Sequence, residues 1–501
     1  MHTEILTVAE IYAADHFTAS HGTPPLELME NVGSAITRTL RTHYSPRRTV
    51  ILCGPGNNGG DGFVIARQLD AAGWAVTLAL LGEKTALKGD AASNAARWNG
   101  AIYPLSPTVL AGAELVIDAL FGVGLARPLS GAAQETVQAL NALTPRPAIV
   151  AVDIPSGIAG DSGKPLGDVF VRADRTVTFF RKKPAHVLMP GRLYCGQIEV
   201  ADIGIPESAI GTIGPKPPLR ENTPDMWLAD LPRPDPLGYK YTRGHTLVVS
   251  GPAYATGAAR MAARAALRVG AGLVSIASPT DAMAINAAHT TAIMLKSFDD
   301  PAGLAHILTD KRFNTAIIGP GCGLNETTRT LTAAVLASGA AAVLDADALS
   351  VFAADPATLF AGLHPNCVLT PHDGEFERLF PGLLDRCSKD GTGKLGAARQ
   401  AAKIAGAVLL LKGPDTVIAA PEGSATICTN APPTLATAGA GDVLAGFIGG
   451  LLAQQMPVFL AAAAGAWLHG AAAREFGPGL IAEDLPEILP AVLRRLYGDT
   501  L

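Results

Sequence analysis

Short runs of apolar residues alternate with longer amphipathic stretches along most of this chain of 501 residues. Unbroken runs of Val, Ile and Leu are typical of parallel strands whose two faces are both covered by helices. In the first part of the chain, strands are predicted at residues 49–53, 75–81, 115–119, 148–152, 176–180 and 198–201. In the second part, strands are predicted at residues 246–250, 273–277, 316–318, 342–344, 368–369 and 408–411. The pattern predicts an α/β fold with two parallel sheets, in which ligands bind beyond the carboxyl ends of the strands.

A proline-rich segment separates the two sets of strands. Its prolines are Pro206, Pro215, Pro217, Pro218, Pro224, Pro232, Pro234 and Pro236. Few regular elements tolerate such a density of proline, so residues 205–240 are predicted to form a linker or an extended arm. The length of the chain suits two or three domains. Together these features predict one domain at residues 1–215 and another at residues 216–501.

One mostly apolar stretch, residues 443–473, is long enough to suggest a membrane span. Polar residues and Pro457 interrupt it, so two buried helices on either side of Pro457 are predicted, with no membrane contact. The net charge of −5 is spread without a basic stripe, which argues against binding to nucleic acid. The six cysteines form no C-x-x-C pair and the first residues lack the features of a signal peptide, so a cytoplasmic protein is expected.

A glycine-rich segment, residues 54–62, follows the first predicted strand and precedes a helix predicted at residues 63–69. Its pattern G-x-G-x-x-G is formed by Gly54, Gly56 and Gly59. Such a turn brings bare backbone N–H groups close to a phosphate, although the pattern alone is a weak indication. The polar side chains of the segment are those of Asn57, Asn58 and Asp61. Because these side chains can also hold a cation or a sugar hydroxyl, the segment predicts a nucleotide-type ligand.

Two more strands of the first part end in an aspartate that is followed by a glycine-containing turn. Asp118 precedes the turn at residues 121–128, and Asp153 precedes a turn that contains Ser156. An aspartate in such a place is often only a cap or a turn former. Their repetition at strand ends predicts that they share one rim of the sheet. Asn58, Asp118 and Ser156 offer hard oxygen ligands, which suit a weakly held cation.

The second part of the chain places an acid at the start of a predicted helix. Asp442 follows a glycine-rich turn that can open the helix N-terminus as an anion hole, and its carboxylate can act as a general base on a hydroxyl. Residues 412–416 follow a strand and suit a nucleotide phosphate, with an ordinary turn as the alternative. His372 lies at the edge of the site or serves as a helix cap. The absence of G-x-x-x-x-G-K-[ST] argues against a P-loop NTPase.

These motifs, in their order and spacing, resemble a family of fused enzymes that repair hydrated NADH and NADPH. The first part resembles the NAD(P)HX epimerase domain at residues 28–31, 54–62, 118–124 and 153–157. The second part resembles the ADP-dependent NAD(P)HX dehydratase, a member of the ribokinase-like superfamily, at residues 256–259, 268–273, 345–349, 370–375 and 439–442. The resemblance covers nearly the whole chain and implies a Rossmann-like domain followed by a ribokinase-like domain.

The resemblance also implies an activity. The first domain would interconvert the R and S hydrates (NADHX or NADPHX), and the second would dehydrate the S hydrate at the expense of ADP, giving AMP and phosphate. K⁺ in the epimerase domain and Mg²⁺ in the dehydratase domain are the implied cofactors, and a homo-oligomer is the implied assembly. Asp153 and Asp442 would be the catalytic residues.

The remaining site residues follow from the same resemblance. The epimerase substrate would be held by Asn57, Asn58, Gly59, Gly60, Asp61, Gly122, Val123, Gly124, Leu125, Ala126, Arg127, Pro128 and Asp153. The dehydratase substrate would be held by Ala258, Gly323, His372 and Asp442. The nucleotide would be held by Lys412, Gly413, Pro414, Asp415, Thr416 and Gly441. The K⁺ ligands would be Asn58, Asp118 and Ser156.

Two alternatives remain open at this point. The chain could be a small-molecule hydroxyl kinase fused to a nucleotide-binding module, which would release a stable phosphorylated product. The first part could instead be a non-enzymatic module that only binds nucleotides or partner proteins. The joint presence of Asn58, Asp118, Asp153 and Ser156 favours an enzyme, because a pure scaffold need not keep this set.

Overall fold

The computed structural model of the protein describes residues 3–213 and 218–498. Their contacts form two compact units, unit 1 at residues 3–213 and unit 2 at residues 218–498. The domain boundary predicted between residues 215 and 216 lies outside the described residues, as do Pro215 and Pro217. Every predicted strand is present within two residues at either end, so the predicted α/β fold with parallel sheets is confirmed.

Unit 1 is a parallel sheet between layers of helices. Its strands are β1 (Arg48–Cys53), β2 (Ala75–Leu80), β3 (Ile102–Pro104), β4 (Leu115–Ala119), β5 (Ala148–Val152), β6 (Arg175–Phe179) and β7 (Gln197–Ala201). Its helices are α1 (Val8–Ser20), α2 (Pro25–His43), α3 (Asn57–Ala71), α4 (Gly89–Ala96), α5 (Gly131–Ala142), α6 (Gly191–Cys195) and α7 (Ser208–Thr212). The strand order is β3-β2-β1-β4-β5-β6-β7, and all paired strands are parallel.

The central strand β1 shows why the strands of unit 1 are continuous apolar runs. Ile51 and Cys53 belong to a buried cluster that also contains residues of α1 to α4. Val50 and Leu52 belong to a second cluster, which also contains residues of α5. Successive side chains of a strand point to opposite faces, so a sheet buried on both faces needs apolar residues at every position.

The helix predicted at residues 63–69 begins six residues earlier, at Asn57. The prediction was wrong at this end because glycines are poor helix formers and were assigned to the preceding turn. In the structure they allow close packing instead. An added Cβ at Gly60 would lie 2.6 Å from the sulfur of Met29, and one at Gly62 would lie 2.6 Å from the Sγ of Cys53. Glycine therefore lets the start of α3 lie close to its neighbours.

The glycine at the end of β1 leads to a prediction about stability. An added Cβ at Gly54 would lie 2.8 Å from the carbonyl carbon of Leu120 and closer still to its oxygen. Because backbone atoms cannot turn away, Gly54→Ala should lower the free energy of unfolding of unit 1 by about 1–3 kcal/mol or more. Gly56→Ala is the matched control, since a Cβ there meets nothing within 4 Å. Urea unfolding measures both, and equal stability of the two variants would contradict the packing argument.

Unit 2 is a larger mixed sheet with helices on both faces. Its strands are β8 (Leu219–Glu221), β9 (His245–Val249), β10 (Leu273–Pro279), β11 (Met294–Phe298), β12 (Thr315–Ile318), β13 (Ala341–Leu344), β14 (Cys367–Leu369), β15 (Val408–Leu411), β16 (Val417–Ala419) and β17 (Ala425–Ile427). Its first helices are α8 (Gly257–Arg268), α9 (Met283–His289), α10 (Pro301–Ile307), α11 (Glu326–Ala337), α12 (Asp347–Ser350) and α13 (Pro356–Gly362). The others are α14 (Asp373–Leu379), α15 (Leu383–Lys389), α16 (Gly393–Ala405), α17 (Ala440–Ala453), α18 (Val458–Phe476) and α19 (Asp484–Tyr497).

The sheet of unit 2 has the order β11-β10-β9-β12-β13-β14-β15-β16-β17-β8. The strands from β11 to β15 are parallel, and β15, β16 and β17 are joined by antiparallel pairings. Helices α8, α17, α18 and α19 pack on one face in a large cluster rich in alanine. The predicted pair of buried helices around Pro457 is confirmed as α17 and α18. No helix in the described part of the chain is long and apolar enough to cross a membrane.

The prediction of a linker at residues 205–240 was wrong for much of that segment. Strand β8 pairs in parallel with β17 at the edge of the sheet of unit 2. Trp227 is fully buried, and its ring nitrogen donates a hydrogen bond to the side-chain oxygen of Asn222 at 3.1 Å. Proline is tolerated here because β8 is an edge strand and the following residues form short turns. The segment at residues 219–231 is therefore part of unit 2, and the side chains of Leu219, Trp227 and Leu231 are buried there.

Candidate functional sites

Unit 1 contains a pocket of about 810 Å³ at the carboxyl ends of its central strands. Its walls include the segments that directly follow β1, β4, β5 and β6, together with residues of α1 and α2. The predicted substrate residues that line the pocket are Asn57, Asn58, Asp61, Gly122, Val123, Gly124, Leu125, Ala126, Arg127 and Asp153. Gly59, Gly60 and Pro128 are not among the lining residues, and their predicted roles stay predictions.

Asp153 lies at the end of β5 in a strained conformation. Its φ of 66° falls in the left-handed region, which is uncommon for a residue other than glycine and often marks a functional site. Its carboxylate accepts hydrogen bonds from the Nζ of Lys183 at 2.8 Å and from the Oγ1 of Thr178 at 2.8 Å. Burial opposes ionisation, but the Lys183 ammonium outweighs it and lowers the pKa of Asp153. Asp153 is therefore an ionised carboxylate on the pocket wall.

Gly122 lies close to this carboxylate. An added Cβ at Gly122 would lie 3.1 Å from the Oδ1 of Asn58 and 3.6 Å from the Oδ2 of Asp153. Because Gly122 has no side chain, the space next to the side-chain oxygens of Asn58 and Asp153 stays open. The N-terminus of α3, which has no side-chain cap, lines the same pocket. Free N–H groups at a helix start attract anions. The pocket can therefore hold a ligand that carries both phosphate and hydroxyl groups.

Behind the pocket, Asp118 and Ser156 form a buried pair. The Oγ of Ser156 donates to the Oδ1 of Asp118 at 2.6 Å, and the Ser156 N–H donates to its Oδ2 at 2.8 Å. Burial raises the pKa of Asp118 to about 6, and no lysine or arginine of the described residues forms an ion pair with it. The side-chain nitrogen of Asn58 is buried without a hydrogen-bond partner. The predicted cation role of Asn58, Asp118 and Ser156 stays a prediction.

Several pocket residues were not predicted from the sequence. Lys183 pairs with Asp153, and Tyr12 and Asp15 reach the pocket from α1. Burial raises the pKa of Asp15 to about 6, opposed by Lys183. The run of basic residues at 181–183 directly after a strand was a usable signal for Lys183. The helix α1 offered none, because nothing in its pattern indicates which strand ends it covers.

Unit 2 brings a second set of charged residues together at the carboxyl ends of its parallel strands. Asp442 lies in the first turn of α17, where the preceding Gly439 has a φ of 86° and no side chain caps the helix. Burial and the nearby Asp345 raise the pKa of Asp442 to about 6, opposed by Lys412. An added Cβ at Gly441 would lie 3.6 Å from the Oδ2 of Asp345 and 3.6 Å from the Nζ of Lys412. A carboxylate and an ammonium group therefore approach an uncapped helix start at Gly441, and the predicted anion hole stays a prediction.

Lys412 is the cation of this second site. Its Nζ lies 2.7 Å from the Oδ1 of Asp345 and 3.7 Å from the Oε2 of Glu375. Burial lowers the pKa of Lys412, but these carboxylates outweigh it and the pKa is raised overall. Asp345 and Asp347 flank Ala346, whose φ of 49° is another strained position. The sequence motif contained these acids, but they were not predicted as site residues.

The turn after β15 is closed by its own side chains. The Oγ1 of Thr416 donates to the carbonyl oxygen of Gly413 at 2.8 Å, and the Gly413 N–H donates back to that hydroxyl at 3.2 Å. Asp415 is buried and forms an ion pair with Lys394 at 2.7 Å. Gly413 has a φ of 159°. The structure thus shows a rigid turn next to Lys412, and the predicted nucleotide contacts of residues 412–416 stay predictions.

The other predicted dehydratase residues surround this cluster at different depths. The Nδ1 of His372 accepts a hydrogen bond from the Gly374 N–H at 2.9 Å, so His372 is a helix cap, while its role at the site stays a prediction. The Gly323 N–H donates to the Oδ2 of Asp347 at 2.8 Å. Ala258 lies in the first turn of α8. A Cβ added at Gly321 would lie 3.5 Å from the Cβ of Ala258. No group of three or more His, Cys, Asp or Glu side chains among residues 3–213 and 218–498 is arranged to hold a metal ion.

The fold and the two sites define a two-unit α/β enzyme with one candidate active site in each unit. Residues 25–185 match the family model of the YjeF-related protein N-terminus, and residues 246–490 match that of NAD(P)H-hydrate dehydratase. The chain is 38% identical to the bifunctional NAD(P)H-hydrate repair enzyme of Moorella thermoacetica, over 98% of this chain and 97% of that protein. The chain therefore belongs to the family of bifunctional NAD(P)H-hydrate repair enzymes, and the resemblance inferred from its motifs is confirmed.

Two further comparisons cover the whole chain and unit 2. The corresponding enzyme of Salinibacter ruber is 35% identical over 99% of this chain and 97% of that protein. The ADP/ATP-dependent NAD(P)H-hydrate dehydratase from Bacillus subtilis, co-crystallised with ATP and Mg²⁺, is similar to 55% of this chain and 98% of that chain. Its sequence identity is 28% and its TM-score is 0.48.

Proposed function

We propose that unit 1 interconverts the R and S hydrates of NADH and NADPH, and that unit 2 converts the S hydrate to the intact cofactor at the expense of ADP, giving AMP and phosphate. The observation that supports this most directly is the pairing of two different acid sites in one chain. Unit 1 holds an ionised Asp153 on the wall of a pocket, and unit 2 holds Asp442 at an uncapped helix start. The family match covers both units.

In unit 1, the start of α3 and the Gly122 turn are proposed to bind the phosphates and ribose of the substrate. Asp153 then contacts the hydrated ring or its ribose and supports proton transfer. Lys183 keeps Asp153 ionised and, through a hydrogen bond at 2.8 Å, fixes the carboxylate in place. The pocket is large enough to enclose most of a ligand of moderate size.

In unit 2, Asp442 is proposed to remove the proton of the ring hydroxyl while that oxygen attacks the β-phosphoryl group of ADP and AMP leaves. The N–H groups at the start of α17 are proposed to stabilise the developing charge of the transferred phosphoryl group. Phosphate is a far better leaving group than hydroxide, so the phosphorylated ring then loses phosphate, together with a proton from the neighbouring ring carbon, and recovers its double bond. Lys412, whose Nζ would lie 3.6 Å from a Cβ added at Gly441, is proposed to hold the nucleotide phosphates.

Mg²⁺ and K⁺ fit the two sites in different ways. Asp345 and Glu375 are both engaged by Lys412, so the protein offers no cage of free carboxylates in this cluster. A Mg²⁺ ion held largely by the nucleotide phosphates fits such a site, where it would offset their charge. In unit 1, the hard oxygen atoms of Asn58, Asp118 and Ser156 suit K⁺, which would offset the buried charge of Asp118.

One assay tests the proposed function. The protein is incubated with mixed hydrate epimers, ADP and Mg²⁺, and both reduced cofactor and inorganic phosphate are measured. Both epimers should be consumed, with one phosphate released per cofactor restored. A stable phosphorylated product would identify a kinase instead. Conversion of the S hydrate alone, with the R hydrate left over, would contradict the role of unit 1.

The cation proposal gives a separate prediction. Crystals grown with K⁺ and exchanged into Tl⁺ should show an anomalous peak among Asn58, Asp118 and Ser156. The physical reason is that a buried carboxylate without a cationic partner is costly unless its charge is compensated. Crystals of Asn58→Ala should lose the peak. Ordered water alone at this position, with K⁺ present, would refute the cation.

Compartment and assembly also remain proposals. All six cysteines are free and buried, which suits the reducing conditions of the cytoplasm. A homo-oligomer stays the expected assembly, and sedimentation velocity measures it.

A further inference from the structure

Helix α1 forms a fixed wall of the unit 1 pocket. Tyr12 and Asp15 line the pocket and are three residues apart, so they lie on the same face of the helix. The residues before α1 fasten it beside the Asp153–Lys183 ion pair. Ile5 forms a β-bridge with Lys182, and the Leu6 N–H donates to the Lys182 carbonyl at 2.9 Å. Asp15 is therefore held in the pocket by the segment that also carries Lys183.

The pocket contains carboxyl groups in opposite situations. Asp153 is paired with Lys183, which keeps it ionised. Asp15 forms no hydrogen bond or ion pair with the residues that the structure describes, and burial, reinforced by the charge of Asp153 and opposed by Lys183, raises its pKa to about 6. Two carboxyl groups whose surroundings shift their pKa values in opposite directions are a common arrangement for an acid and a base. Asp15 also lies before residue 25, where the family match begins.

The chemistry of the hydrate requires such a pair. Water adds to the enamine of the reduced ring so that the hydroxyl is bonded to the carbon next to the ring nitrogen. Loss of that hydroxyl needs a proton on the oxygen: the C–O bond breaks, water leaves, and the nitrogen lone pair forms a C=N⁺ bond. Water then adds to the other face of the C=N⁺ carbon and gives up a proton. No oxidant or further reactant is needed. After one conversion the acid has lost a proton and the base has gained one, and transfer of that proton from the base to the acid restores both.

We infer that Asp15 is a catalytic residue of the epimerase pocket, the general acid that protonates the departing hydroxyl while Asp153 serves the returning water. The inference rests on the epimerase function proposed above and deepens it by assigning the route. The hydrate is thus epimerised by breaking and remaking its C–O bond, without opening the ring. Asp61 lines the same pocket, and burial, reinforced by the charges of Asp153 and Asp15, raises its pKa well above the usual range.

The route predicts the pH dependence. The titratable or charged residues that line the pocket together with Asp15 are Tyr12, His16, Asp61, Asp90, Arg127, Asp153 and Lys183. A general acid must be protonated, so the rate of epimerisation should fall about tenfold per pH unit as the pH rises above about 6. The uncatalysed rate is subtracted at each pH. Asp15→Glu, which keeps an acid, should retain this decline, and Asp15→Asn should lose it.

The test compares Asp15→Asn with Asp70→Asn, a matched change at an exposed residue of unit 1. Conversion of the R hydrate to the S hydrate should fall about 100-fold in Asp15→Asn and stay unchanged in the control. Dehydration of the S hydrate by unit 2, measured in the same full-length chain, should be normal in both. R-hydrate turnover within threefold of wild type, or a wild-type rate that does not decline above pH 6, would overturn the role of Asp15. If the wild-type protein does not epimerise the hydrate, the proposed function of unit 1 is overturned as well. If the wild type epimerises it normally and Asp15→Asn does too, only the role of Asp15 is overturned.

In solvent enriched in ¹⁸O, the C–O route predicts that epimerised hydrate gains the label at its ring hydroxyl once per conversion, beyond the uncatalysed exchange. Epimerisation without such incorporation would overturn the route.

Discussion

Replacing Asp442 by asparagine should abolish dehydration of the S hydrate and leave epimerisation intact. Asparagine keeps the shape of the side chain but cannot accept the hydroxyl proton, and loss of a general base typically costs about 10²–10⁴-fold. The two candidate sites lie on different sheets, so the epimerase of the same sample is the internal control. Restored cofactor is measured from S hydrate, ADP and Mg²⁺. Dehydration within a few-fold of wild type would remove Asp442 from the mechanism.

The pH profile of dehydration provides a second test of the same residue. A general base must be ionised, and burial raises the pKa of Asp442 to about 6. In wild type, dehydration should therefore decline as the pH falls through about 6, by about tenfold per unit. Asp230→Asn, an exposed change in unit 2, should show the same decline as wild type.

Replacing Asp153 by asparagine should lower conversion of the R hydrate by at least about 100-fold, while the S hydrate is still dehydrated through Asp442. The change removes the negative charge that Lys183 holds at 2.8 Å and keeps the shape of the side chain. It also leaves the Lys183 ammonium buried without its partner, which costs stability. Thermal unfolding of the variant must therefore be measured as well. Activity is then compared at a temperature well below the unfolding midpoint of both proteins.

The size of the effect separates two roles for Asp153. A residue that only donates or accepts a hydrogen bond contributes about 1–3 kcal/mol, whereas a true acid or base is worth about 10²–10⁴-fold. Thr178→Val removes a hydrogen bond to the same carboxylate and keeps its charge, so it should have a much smaller effect. If R-hydrate turnover survives in Asp153→Asn within a few-fold, the acid–base chemistry belongs to other residues on the rim.

The sequence predicted the strands well because the sheets are buried on both faces. Interior strands such as β5 and β15 are unbroken apolar runs, and burial leaves few alternatives for such runs. The edge strand β7 was predicted, but the edge strands β3, β8 and β11 were not, and neither were β16 and β17. Strand β11 contains Lys296 and is largely exposed, so its residues do not alternate as a half-buried strand would. Strand β8 was assigned to a linker because neighbouring prolines dominate the composition of that segment.

The sites were predictable only where chemistry coincides with a strand end or a helix start. Asp153 and Asp442 were found in that way. Lys183 and Asp345 were not chosen, although a basic run and a motif marked their positions, because the local pattern does not show which distant residue each of them pairs with. Asp15 is the extreme case, since its relevance depends on where the whole of α1 packs. Tertiary placement, rather than residue type, decided these roles.

Strand β8 limits where the chain can be divided to obtain the dehydratase half on its own. Leu219 to Glu221 cover the outer edge of β17, so a truncated chain that starts after Glu221 leaves that edge with unpaired backbone groups. An open edge of this kind recruits strands from other molecules. A truncated chain that contains the complete dehydratase unit must therefore start before Leu219. This start lies within the proline-rich segment at residues 205–240, whose composition is typical of a linker.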